Sequence, residues 1–325
     1  MVFSARLLRI AVTPRDQLDF RSVRVLDGAM ATELERRGCD ISGPLWSAHV
    51  LDTSPQVIAA LHLDYLRAGA DCISTAGYQV SALGYAELSR PAADTVHALR
   101  ESVRIAEQAR AEYAREDPRR IRIAASLGPY GAALHNGAEY HGRYSIGFDD
   151  LVAFHAERLA MLTETNADLL ALETIPSFDE ARALLRALEQ FPTLTAWISF
   201  TCRDAERVAH GEPLRECAAS LSESTQVVAI GINCTPPRYI EALIDEALRG
   251  CGDRKPVIVY PNSGETWEPS TRTWRGSSDT REYGLLARAW YAAGAHAVGG
   301  CCRTGPAHIR AVAQAFREAV PAARP

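Results

Sequence analysis

The sequence predicts an α/β protein of the (β/α)8 TIM-barrel class, and three observations predict it. From residue 21 onward, eight short runs rich in β-branched residues alternate with longer amphipathic segments. Several runs, QVVAIGIN and PVIVYPN among them, are almost continuously apolar, the pattern of parallel strands covered on both faces. Eight such units in about 300 residues match a closed barrel, whereas an open doubly wound sheet usually has fewer strands.

In chain order the runs are Val23–Leu26, Cys72–Ala76, Arg122–Leu127, Leu169–Thr174, Ala196–Thr201, Val227–Asn233, Val257–Pro261 and Ala297–Gly300. Helical punctuation separates them. Ser54–Pro55 opens a segment that runs to Leu66–Arg67 and closes at Gly69, with Pro at the first helical position and Gly at the end. Ser177 and Glu180 have the spacing of a capping box ahead of ARALLRALEQ. The longest interruption, HNGAEYHGRYSIGFDD after the third run, reads as a functional βα loop, and NSGETWEPSTRTWRGSSD follows the seventh. Residues 21–325 thus read as one barrel domain, with no linker or second module. Residues 1–20 read as a flexible N-terminal extension; Arg6, Arg9 and Arg15 precede its first acid, Asp16, which faintly resembles a transit peptide.

Composition narrows the partners. With 325 residues, 47% of them hydrophobic, the chain can bury a sizeable core. A net charge of -5 without a basic run gives no electrostatic reason to expect nucleic acid or an anionic membrane, so small substrates are favoured. Charged residues break every apolar run before it reaches bilayer length, which points to a soluble, cytoplasmic protein. Eight unevenly spaced cysteines do not make a disulfide scaffold and fit reduced thiols.

In a (β/α)8 barrel, chemistry sits at the C-terminal strand ends. Cys234 ends the sixth run and Cys301–Cys302 follow the eighth, so three thiols converge on one rim. Three thiolates suit a zinc ion with a fourth position open to substrate. Neighbouring strand residues point to opposite faces, so the vicinal pair needs a bend, which Gly299–Gly300 permits. Two other readings stay open: ordinary buried cysteines, or a strained vicinal disulfide with a redox role. Cys217 and Cys251 lie in helical segments and read as inert, while Cys39, Cys72 and Cys202 have no clear partner.

The segments LDGAMATELERRG, HLDYLRAGAD, LLALETIP, GINC, YPNSG and GGCCRT together closely resemble the homocysteine S-methyltransferase family, over residues from about 23 to 315. The chain looks most like the bacterial and plant type that uses S-methylmethionine or S-adenosylmethionine. Betaine-homocysteine methyltransferase and the homocysteine module of methionine synthase are more distant. The resemblance implies that Cys234, Cys301 and Cys302 hold Zn2+ and that homocysteine sulfur completes the tetrahedron. It places Gly28, Ala29 and Met30 where backbone N–H groups meet the substrate carboxylate, and Asp27 and Glu173 near its amino group. Asp before Gly is also a common turn residue, and a lone acid ending an apolar strand needs a partner.

A sulfonium donor is a cation that aromatic faces can attract, and Trp46 and Tyr78 are the candidates. In relatives an aromatic near Trp46 helps enclose the donor, and the tyrosine after the second strand approaches the metal when substrate is absent. Rim packing is the plain alternative for both. Asn233 and Asn262–Ser263 would orient ligand or loop backbone. The implied reaction is direct displacement at the sulfonium methyl by homocysteine thiolate, giving methionine. Competing readings are another donor or acceptor, such as betaine or a selenol, and a zinc-binding or redox-sensing barrel without turnover.

Overall fold

Seven parallel strands, β1 (Cys72–Ser74), β2 (Arg122–Leu127), β3 (Leu169–Ile175), β4 (Ala196–Phe200), β5 (Val227–Asn233), β6 (Val257–Tyr260) and β9 (Ala297–Val298), pair in the order β1-β2-β3-β4-β5-β6-β9. The first expected run, Val23–Leu26, closes the circle through single bridges rather than a ladder. Val25 pairs with Val298 and Leu26 with Cys72, both parallel. The Leu26 amide donates to Val298 O at 2.9 Å and the Asp27 amide to Cys72 O at 3.1 Å. The computed structural model describes residues 20–319 apart from 44, 46, 269–272 and 277. The expected extension, except for Phe20, lies outside the described residues.

The closing run approaches its neighbour too closely for a side chain. A Cβ on Gly299 would stand 2.6 Å from Leu26 Cβ and 2.7 Å from Asp27 O. This spacing lets the Gly300 amide donate to Asp27 O at 2.9 Å and ties the last strand end to the first.

Strand residues alternate between two cores. Ile123, Ala125 and Leu127 face the helices, whereas Ala124 joins a separate cluster inside the barrel with Ala171, Ala229, Ala297, Trp197 and Tyr260. Four alanines leave room for one tryptophan, the large-against-small packing that fills a barrel interior. Phe20, 3% exposed, belongs to the same cluster and meets Trp197 edge-on at 6.0 Å between ring centroids.

The expected helix at Ser54–Pro55 spans Pro55–Ala68 and ends at Gly69 in the left-handed conformation. Half of the expected capping box forms at helix Phe178–Leu188: Ser177 Oγ accepts from the Glu180 amide at 3.2 Å. The Glu180 carboxylate turns away to the loop after β2, which carries a short helix (Tyr130–Ala133) and a 3-10 turn (Ala138–Tyr140) before helix Phe148–Leu162. The loop after β6 carries an antiparallel hairpin, β7 (Thr266–Glu268) with β8 (Thr273–Arg275). Among the described residues no helix is long and apolar enough to cross a membrane.

Phe20→Ala removes the largest side chain of the interior cluster that lies ahead of the first barrel run. Unfolding in urea should show a loss of about 3 kcal/mol, as for a buried Phe truncated in a core that cannot collapse. A change within about 0.5 kcal/mol, the range of surface substitutions, would place Phe20 outside the cooperative core.

Candidate active site

Three thiols meet at the C-terminal rim. Cys234 follows β5, and Cys301 and Cys302 follow β9 after Gly299–Gly300. Their sulfurs all lie within 4.8 Å of one another, with Cys234 Sγ and Cys302 Sγ 3.6 Å apart. The bend expected at the vicinal pair is a turn: Cys301 O accepts from the Thr304 amide at 3.1 Å and the Thr304 hydroxyl at 2.7 Å, with Arg303 at φ +68. Pro261 O and the Ser263 amide hold the outer side of the turn through the Cys301 amide and Cys302 O. All eight cysteines are free thiols. Hydrogen bonds from Cys234 and Cys301 hold the Cys302 thiol well below its ordinary pKa, and the same contacts, with burial, push Cys301 up. Three thiols this close together suit a thiophilic cation.

Backbone strain aims the first of these sulfurs. Cys234 has φ +48 and Thr174, just after Glu173 in β3, has φ +61. A β-branched residue with positive φ persists only where its surroundings hold it. Asn233 supplies that hold. Its Oδ1 accepts from the Thr174 amide at 2.8 Å and the Ser199 hydroxyl at 2.9 Å, while its Nδ2 donates to Thr174 Oγ1 at 2.8 Å. Asn233 is fully buried, lines the cavity beside the thiols and commits its amide to Thr174 and Ser199.

Beside the thiols lies a cavity of about 140 Å3 lined by the Asp27–Thr32 turn, Tyr78, Glu139, Tyr140, Glu173 and the three cysteines. Three of its residues are carboxyls. Asp27 accepts from the Ser74 amide at 2.7 Å and the Ser74 hydroxyl at 3.2 Å, and burial raises its pKa to about 8. Glu173 reaches the cavity where the β3–β4 register shifts between Leu172 and Ile175. It accepts from the hydroxyls of Ser126 and Tyr260, yet burial still raises its pKa to about 7. Glu139, 5% exposed, is raised to about 6 by burial, with the charge of Cys302 adding. Among the described residues its Oε2 has no hydrogen-bond partner.

Neither Glu139 nor Tyr140 stood out in the sequence beyond their place in the long βα loop. The Tyr140 hydroxyl lies 3.9 Å from Cys234 Sγ, and the residue is half exposed. Tyr78 lines the cavity and hydrogen-bonds Thr174. Of the three amides expected to face a substrate carboxylate, that of Ala29 donates to Thr304 Oγ1 at 3.2 Å. Gly28 and Met30 remain at the cavity wall. Ser263 bonds Glu265, and the Asn262 amide bonds Thr235 O, so both serve the loop backbone. Trp46 lies outside the described residues.

A barrel whose C-terminal rim gathers three thiols beside an acid-lined cavity has the layout of an enzyme site. Residues 24–316 match the family described as homocysteine S-methyltransferase, and the chain belongs to that family. It is 46% identical over 301 residues to homocysteine S-methyltransferase YbgG of Bacillus subtilis, covering 91% of this chain and 95% of that one. It is 42% identical to a selenocysteine Se-methyltransferase of Brassica oleracea, covering 89% and 87%. The metallated homocysteine methyltransferase MmuM from Escherichia coli superposes with a TM-score of 0.80 at 41% identity, covering 93% of this chain and 99% of that one. The chain is thus a methyltransferase of the homocysteine S-methyltransferase family.

Two outcomes test this geometry. Asn233→Ala should leave the chain folded and weaken Co2+ binding to the thiols about tenfold or more, as loss of a partner behind a ligand does; unchanged affinity would remove Asn233 from the support of Cys234. The three carboxyls also set a pH dependence. Unfolded acids titrate near pH 4, whereas Glu139, Glu173 and Asp27 titrate at about 6, 7 and 8 when folded. Between those limits the folded state binds more protons, so its stability falls as pH rises from about 4 to 8. Urea midpoints of metal-free protein should drop between pH 5.5 and 8, and the drop should shrink in Asp27→Asn Glu173→Gln; an equal slope in both proteins would contradict it.

Proposed function

We propose that the chain moves a methyl group from a sulfonium donor, S-methylmethionine or S-adenosylmethionine, to the thiol of homocysteine, with Zn2+ held by Cys234, Cys301 and Cys302. The convergence of the three sulfurs carries this reading. Zinc–thiolate bonds of about 2.3 Å in a tetrahedron set sulfurs about 3.8 Å apart, and Cys234 and Cys302 already stand at 3.6 Å. Bound there, zinc would supply acidity to an entering thiol, whose unperturbed pKa of about 8.5 leaves it mostly protonated.

The remaining groups bind and orient. Asp27, aligned by Ser74, and Glu139, whose Oε2 has no partner among the described residues, offer buried carboxyls that the ammonium of an amino acid would draw into the charged form. The amides of Gly28 and Met30, at the start of helix Met30–Arg36, offer donors for its carboxylate. Tyr78 and Tyr140 present aromatic surface to a sulfonium without neutralising it. The attacking thiolate displaces a neutral thioether, so the leaving group needs no proton and the pocket no general acid. Holding the two sulfur centres in line supplies the rest of the rate.

A second reading, with a selenol as acceptor, draws support from the likeness to the Brassica oleracea selenocysteine Se-methyltransferase. Zinc-loaded protein should form methionine from homocysteine and S-methylmethionine, and Cys301→Ser Cys302→Ser should lose both turnover and zinc. Methylation of selenocysteine in preference to homocysteine would favour the second reading. Folded, zinc-loaded protein that methylates neither acceptor from either donor would overturn both.

A further inference from the structure

The loop that carries Glu139 and Tyr140 is anchored at both ends by one buried carboxylate. Glu180 is fully buried, and its Oε1 accepts from the Tyr130 amide at 2.6 Å and His155 Nε2 at 2.9 Å. Its Oε2 accepts from the Tyr144 hydroxyl. Tyr130 precedes the Glu139–Tyr140 pair and Tyr144 follows it. The two tyrosine rings also meet edge-on, with centroids 5.3 Å apart.

A second layer sets the carboxylate. His155 Nδ1 accepts from Arg158 at 2.8 Å, which leaves the Nε2 proton to Glu180. Arg158, 2% exposed, also donates to Gly128 O at 2.8 Å at the start of the loop, and its guanidinium lies over the Phe154 ring at 4.1 Å. None of these groups lines the cavity beside the thiols. Burying an arginine, a histidine and a glutamate together is expensive in desolvation and is weak support for stability. What the arrangement does provide is one geometry, because each polar atom of the glutamate has a specific donor.

Inside the anchored segment the packing transmits that geometry. A Cβ on Gly131 would stand 2.5 Å from the Glu139 amide nitrogen, so the short helix Tyr130–Ala133 presses directly on the turn that bears Glu139 and Tyr140. The Gly142 amide closes the turn on Ala138 O at 2.8 Å. Moving Tyr130 or Tyr144 therefore moves the pair that reaches the thiols.

We infer that Glu180, set by His155 and Arg158, is a positioning residue for methyl transfer: it clamps the loop after β2 so that Glu139 and Tyr140 meet the acceptor and the thiol cluster. This inference rests on the reading of the cavity as an amino-acid site, and its test carries a readout independent of that reading. In Glu180→Ala, hydrogen exchange at residues 130–144 should rise at least tenfold relative to the rest of the barrel, with zinc content unchanged because the cysteines lie on other elements. KM for homocysteine should rise at least tenfold, more than kcat falls, and Glu180→Gln should recover part of both effects. Tyr144→Phe, which removes one donor from an otherwise intact carboxylate, serves if Glu180→Ala does not fold, and should loosen the same segment to a lesser degree. A lowered melting temperature with unaltered loop exchange and unaltered KM would make Glu180 purely structural and overturn the inference. Loosened exchange in a protein whose wild type ignores homocysteine would uphold the clamp and overturn the acceptor.

Discussion

Closure of the barrel at residues 25 and 26 is the constraint on which the site depends. Two parallel bridges and the contact of Gly299 with Leu26 bring the end of β9 against the turn at Asp27. That one junction places a carboxylate, two backbone amides and two thiols around a common space. Cys234 comes to the same space from β5, one strand beyond β6 in the sheet. Without closure the donor groups would sit on opposite edges of an open sheet, and no local sequence feature would bring them together.

Around that junction the structure concentrates features that cost stability elsewhere in proteins: three non-glycine residues in left-handed backbone, three raised carboxyls and three closely spaced thiols. Specific neighbours hold several of them. Asn233 holds Thr174, Ser74 holds Asp27, and Ser126 with Tyr260 holds Glu173. The cavity thus presents carboxyl groups that are oriented before a ligand arrives, the condition under which electrostatics contributes most to binding and catalysis.

Much of this was legible in the sequence, and the reasons for the rest are physical. Strand order and the convergence of the cysteines follow from hydrophobic periodicity and from the rule that barrel chemistry lies at strand ends. Asn233 was visible as a strand-end polar residue, but its role depends on the positive φ of Thr174, which periodicity does not encode. Glu139 and Tyr140 lie in a loop whose course is set by contacts with Glu180, a residue that reads locally as half of a capping box. Tyr78, which lines the same cavity, has the simpler address immediately after a strand and was legible there.

The sulfurs of Cys234 and Cys302 belong to residues 68 positions apart in the chain. An ion shared between them would act as a removable cross-link, closing a large loop of the polypeptide and binding only when the barrel is shut. Its free energy of binding then adds to that of folding. Metal supply would set how long such a protein survives unfolding and proteolysis as well as how fast it works, so the abundance of the folded enzyme would itself follow the availability of the ion.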